Sequence, residues 1–168
     1  MHINNYLKKI IVVSLVLLNV GCDQISKSIV RNNVEFYETT EIINDRFILT
    51  KVENSGAFLG FGSDLHPMIK NIFLLAIPAI ALLGMLAYLL FKTNLNRYYL
   101  IGFSFIVGGG IGNVYDRIFH GSVTDFLHID LGLFRTGIFN MADVSVMAGS
   151  IYILIFSFIK KKQQSQLQ

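Results

Sequence analysis

Two aspartates, Asp125 and Asp143, are placed where they could share a proton beside a membrane. Asp125 precedes an apolar Phe126-Leu127 pair in an outer loop, and Asp143 falls in the first turn of an apolar helix that opens near Phe139. Charges in or beside lipid are costly, so such residues serve a function or pair with one another. Two carboxyls in one site do not ionise comfortably together; one pKa rises while the other stays low. One then activates a water as general base, and its protonated partner polarises an amide carbonyl and later serves the leaving amine. The same placement also fits an Asp143 that favours the positive end of its helix and an Asp125 that caps a turn.

Asn140 lies one helical turn before Asp143, so the two side chains share a face; a plain N-cap explains it equally well. The densest anomaly is Gly108-Gly109-Gly110-Ile111-Gly112-Asn113-Val114-Tyr115-Asp116-Arg117. Close helix packing in lipid accounts for the glycines but not for the polar residues after them. Asn113 and Arg117, four apart, could hold backbone or headgroup oxygens, whereas Asp116 is expected to pair structurally with its neighbour Arg117. Asp23 and Lys27 are also four apart, in the acid-first order of an interfacial ion pair. Asn54-Ser55-Gly56-Ala57-Phe58 reads as a turn. His120, Asp125, His128 and Asp130 bring metal-ligand types together, but no HExxH helix is present and the spacing matches no common site.

The elements that must position these residues are apolar spans. The chain is 168 residues long, 53% hydrophobic and 15% charged, with a mean hydropathy of +0.56, which is membrane rather than soluble composition. Runs of roughly 20 apolar residues cross the hydrocarbon core. Four spans are predicted, at about 10–30, 68–91, 98–118 and 139–159, within a single domain of residues 1–168. Lys8, Lys9, Lys92, Arg97, Lys160, Lys161 and Lys162 all fall on one side, which makes both termini cytoplasmic and puts both long connections outside. The net charge of +3 is therefore a topology signal, not a nucleic-acid footprint. The first connection, about 31–66, carries β-branched and aromatic runs that predict a small extracytoplasmic β subdomain; the second, about 119–138, is expected to be a flap-like loop in the interface. The single cysteine, Cys22, excludes an intrachain disulfide and a cysteine metal site. Its Asn19-Val20-Gly21-Cys22 context resembles a lipoprotein cleavage site, but position 19 lacks the usual apolar residue and three spans follow.

Five motifs in order resemble those of lipoprotein signal peptidase, also called signal peptidase II, across nearly the whole chain. They are Asp23-Gln24-Ile25-Ser26-Lys27, the Asn54 to Phe58 turn, Gly109 to Arg117, Val123-Thr124-Asp125-Phe126 and Phe139-Asn140-Met141-Ala142-Asp143. The resemblance implies an all-α membrane protein of four transmembrane helices, with a periplasmic β cradle. It also implies an aspartyl endopeptidase of the bacterial inner membrane that cleaves diacylglyceryl-modified prolipoproteins just before the lipidated cysteine. It assigns the dyad to Asp125 and Asp143 near the periplasmic face and the substrate site to Asn54, Asn113, Arg117 and Asn140, with Asp23, Lys27 and Asp116 in support. No cofactor or metal is implied, and the partners are the lipidated substrate and membrane lipid; a monomer is expected. The competing reading is a small non-enzymatic transporter or assembly factor with proton-relay carboxylates, which would place them near mid-membrane rather than at one face. A metal-dependent intramembrane protease is a further alternative. Reporter fusions at Asn94 and the C-terminus should read cytoplasmic and a fusion near Asp45 extracytoplasmic; an external signal at Asn94 would overturn this topology.

Overall fold

The computed structural model describes residues 4–57 and 60–165, so Phe58 of the turn motif lies outside them, as do the side chains of Lys161 and Lys162. The first helix, Asn5–Asn33, starts where the Asn4 side chain accepts the Tyr6 amide at 3.1 Å. It buries one seam, Val12, Val16, Asn19, Asp23, Lys27 and Val30, at spacings of three and four. Apolar packing at one end of the seam thus runs directly into a polar cluster at the other. The second helix, Pro67–Phe91, is the most apolar and the least covered by the rest of the protein. Its stretch Asn71–Ala76 is π-helical, and the Ile77 amide reaches back to the Ile72 carbonyl. That shift comes just before Pro78, whose ring would otherwise clash with the preceding turn.

The third helix, Arg97–Phe119, is the most enclosed, and the fourth is Met141–Ser165. Among the described residues three helices are long and apolar enough to cross a membrane: Asn5–Asn33, Pro67–Phe91 and Met141–Lys160. The fold is thus mostly helical and of membrane type, with an apolar cluster of Val12, Val16, Leu89, Leu100 and Val107 where the first three helices meet. Close approach depends on the glycine run of the third helix. A Cβ on Gly109 would strike the Ala142 carbonyl, and one on Gly112 would strike the Asp23 carboxylate.

The strands are β1, Thr39–Ile43, β2, Phe47–Asn54, and β3, Val123–Ile129, antiparallel in the order β1-β2-β3. This differs from the expectation in one respect that matters. The sheet is not confined to the first connection, and the second connection is not simply a flap: its first half is β3, with Val52 opposite Asp125 and Asn54 opposite Val123. The physical reason is the unpaired edge that β2 would otherwise present; Val123-Thr124-Asp125-Phe126 supplies a buried β-forming partner.

Gly112→Ala should lower thermal stability by about 1–3 kcal/mol through overpacking against Asp23. Gly84→Ala, where a Cβ meets nothing within 4 Å, should be neutral or stabilising by up to about 1 kcal/mol. Equal melting temperatures for the two variants in a detergent thermal-shift assay would sink this account.

Candidate active site

The end of β2, the middle of β3 and the start of the fourth helix bring Asn54, Asp125, Asn140 and Asp143 together. Asn54 closes a tight turn, its side-chain Oδ1 accepting the Gly56 amide at 2.9 Å, which turns its Nδ2 toward the Asp125 Oδ2 at 3.0 Å. Asn140 Nδ2 donates to the other oxygen, Asp125 Oδ1, at 2.6 Å. The same asparagine caps the fourth helix in a reciprocal box: the Asp143 amide donates to Asn140 Oδ1 at 3.0 Å and the Asn140 amide to Asp143 Oδ2 at 3.2 Å. Both sequence readings of Asn140 therefore hold at once. The cap that starts the helix is also the bridge between the two aspartates.

The remaining Asp143 oxygen accepts Asn113 Nδ2 at 2.9 Å. Which way the Asn113 amide points is decided by Lys27, since an ammonium only donates: Lys27 Nζ lies 2.9 Å from Asn113 Oδ1, which also accepts Asn140 Nδ2 at 3.1 Å. Lys27 in turn pairs with Asp23 at 2.8 Å and Asp116 at 3.0 Å, all three side chains being fully buried. The Asp23–Lys27 pair expected at the interface is thus an interior one, and the other Asp23 oxygen accepts the Ala142 amide at 2.9 Å. Asp116 does not pair with Arg117 as the sequence suggested. Adjacent helical residues point about 100° apart, and Asp116 turns to Lys27 and to Arg31, 2.9 Å away, while also accepting the Thr124 amide beside Asp125.

Arg117 reaches the Gly56 carbonyl at 2.9 Å and the Asn113 carbonyl at 3.3 Å, pinning the Asn54 turn to the third helix. Three of the four potential metal ligands go to separate partners: His120 to Arg31 at 3.0 Å, Asp130 to Arg135 at 2.9 Å and Asp125 to the asparagines. Among the described residues His, Cys, Asp and Glu do not gather in threes at ligand distance. Residues the sequence reading passed over are Arg31, whose signal was its position four after Lys27, and Glu53, which accepts the Thr124 hydroxyl at 2.7 Å. An open cleft of about 310 Å³ lined by Glu53, Asn54, Ser55 and Ile138 leads to Asp125.

Asp125 is 4% exposed. Burial pushes its carboxyl up to about 6, with the Asp143 charge adding to the rise and the Asn54 and Asn140 hydrogen bonds opposing it. The site thus offers one carboxyl that holds a proton readily beside a second one that accepts two N–H donors, an arrangement that can serve attack by water on an amide.

The chain matches the family described as signal peptidase (SPase) II over residues 15–159. It is 35% identical over 151 residues to the lipoprotein signal peptidase of Borrelia turicatae, covering 86% of this chain and 88% of that one. It is likewise 35% identical over 153 residues to that of Maridesulfovibrio salexigens, covering 90% and 93%. A solved structure described as a bacterial membrane enzyme, determined by the in meso method at 2.3 Å, superposes with a TM-score of 0.78 at 25% identity, covering 91% of this chain and 90% of that one.

A carboxyl raised by burial favours the more acidic side: its contribution to stability is fully present below the unfolded pKa of about 3.9 and is lost as pH rises through about 6. Infrared titration should show a protonated carboxyl band that disappears with a midpoint near pH 6 and is missing from Asp125→Ala. A band unchanged in that variant would assign the proton elsewhere.

Proposed function

The chain belongs to the signal peptidase II family, the lipoprotein signal peptidases that remove signal peptides from prolipoproteins, and from that premise we propose that it does so as an aspartyl endopeptidase with Asp125 and Asp143 as its dyad. The observation that carries this reading is the single Asn140 side chain that touches Asp125 while boxing Asp143. Asp125, whose burial strengthens its hold on a proton, donates to the scissile carbonyl oxygen, and Asp143 takes a proton from the attacking water as the O–C bond forms. The tetrahedral diol then collapses: the C–N bond breaks, Asp143 returns its proton to the leaving nitrogen, and a diol hydroxyl re-protonates Asp125.

Asn54, Asn113 and Asn140 hold the dyad, and each keeps donor or acceptor capacity toward a bound peptide; Arg117 shapes the turn over it. The substrate is a diacylglyceryl-modified prolipoprotein cut before its lipidated cysteine. Its acyl chains stay in the bilayer while the peptide enters the cleft beside Asp125. The third helix, at about 35 Å for its 23 residues, is long enough to complete a bundle of four spans in a single integral domain, with residues 119–138 over the site. Basic residues at one end, Lys8, Lys9, Lys92 and Arg97, favour cytoplasmic termini and a periplasmic site in the inner membrane of a bacterium. The enzyme works as a monomer in contact with lipid, without a cofactor. A proton-relaying transporter or assembly factor is the weaker reading, because the carboxylates converge at one end of the bundle and the chain belongs to a peptidase family.

Asp125→Asn and Asp143→Asn should each abolish cleavage of a lipidated prolipoprotein by the reconstituted protein, and the double variant should be scarcely worse than either, since the two carboxyls act as one unit. Activity should withstand chelators and fall on both the acid and alkaline sides. Near-parental turnover by either folded single variant would end the aspartyl assignment.

A further inference from the structure

We infer that the tip following β3, Leu131 to Phe134, is a lipid-binding surface that seats the sheet on the anionic bilayer interface. The loop is not loose. Asp130 accepts the Gly132 amide at 2.8 Å, the Leu131 amide donates to the Phe134 carbonyl at 2.8 Å, and Arg135 closes the base on Asp130 at 2.9 Å. Gly132 adopts a positive φ of 80° that lets the chain reverse tightly. This stapled turn presents Leu131 and Phe134 largely exposed and Leu133 wholly so, at 107%. The Asp130 amide also donates to the Arg46 carbonyl at 2.9 Å, which brings the β1–β2 turn, with exposed Ile43, to the same end of the sheet.

A rigid turn that exposes three large apolar side chains is expected to have a partner. Lipid is the occupant for three reasons. Six residues from Arg135 to Met141 reach at most about 21 Å, so the tip lies within that distance of the start of the fourth helix, itself apolar enough to span a membrane. Arg46 and Arg135 flank the apolar tip, a pairing suited to anionic headgroups over acyl chains. Three side chains on a narrow turn also fall well short of the roughly 800 Å² per partner of a stable protein interface. Asp125 lies six residues before Leu131, about 20 Å of extended chain, so anchoring the tip would hold the far end of the strand that carries it. This inference rests on the membrane placement of the helices and not on the peptidase chemistry.

The chain has no tryptophan, so Leu133→Trp reports this position alone, and its full exposure makes the substitution harmless to folding. The full-length variant would be reconstituted in phosphatidylcholine vesicles, with and without phosphatidylglycerol, carrying brominated acyl chains. Blue-shifted emission quenched by the bromines, more strongly with phosphatidylglycerol, is expected. Water-like, unquenched emission would overturn the proposal, as would a shift that follows protein density instead of lipid bromination; quenching that ignores phosphatidylglycerol would overturn the anionic assignment. The readout is optical and needs no substrate, so it stands whether or not the dyad cleaves.

Discussion

The buried ammonium of Lys27 is the interaction on which the other contacts of the site depend. Its three donors meet Asp23, Asp116 and Asn113, and each acceptor hands the constraint to a different element. Asp23 continues to the Ala142 amide in the first turn of the fourth helix, Asp116 to the Thr124 amide of β3, and Asn113 to Asp143. One cation in the first helix thereby positions both elements that carry Asp125 and Asp143. Removing one partner of a buried pair typically costs about 3–5 kcal/mol, whereas exchanging a whole ionic cluster for apolar packing is often neutral. The cluster is therefore better understood as setting geometry than as adding net stability, and with Arg31 it is internally neutral, two acids against two bases.

The proposed dyad is built on a structural motif. Asn140 and Asp143 form a capping box, which the fourth helix needs whatever the protein does. Aligning the Asn140 amide for that cap leaves its Nδ2 free to reach Asp125 across to the sheet. Burying Asp125 there raises its affinity for a proton at some cost to stability near neutral pH. The glycines of the third helix allow this closeness, because a Cβ at Gly112 would occupy the space of the Asp23 carboxylate.

Much of this was legible in one dimension. Apolar run length located the helices, and the i to i+4 spacing of Asp23 and Lys27 predicted a real pair. Carboxylates beside apolar spans singled out Asp125 and Asp143 before any fold was known. Two things were misplaced, both for geometric reasons. Asp116 was matched to its neighbour Arg117, although a helix turns adjacent side chains away from each other. The sheet was confined to the first connection, although β2 had a second edge whose partner lay some seventy residues on, at Val123–Ile129.

The amino-acid sequence by itself determined the membrane character of the chain, its order of helices, and the set of polar residues that had to find partners in an apolar setting. These follow from local composition and periodicity, which act over a few turns. Tertiary structure alone decided the pairing: which carboxylate meets Lys27, which face of Asn113 meets Asp143, and that Asp125 rides on a strand. A polar group buried among apolar helices must be satisfied by whichever partner the packing brings within hydrogen-bond reach, and that choice is made between elements distant in sequence, where spacing carries no information.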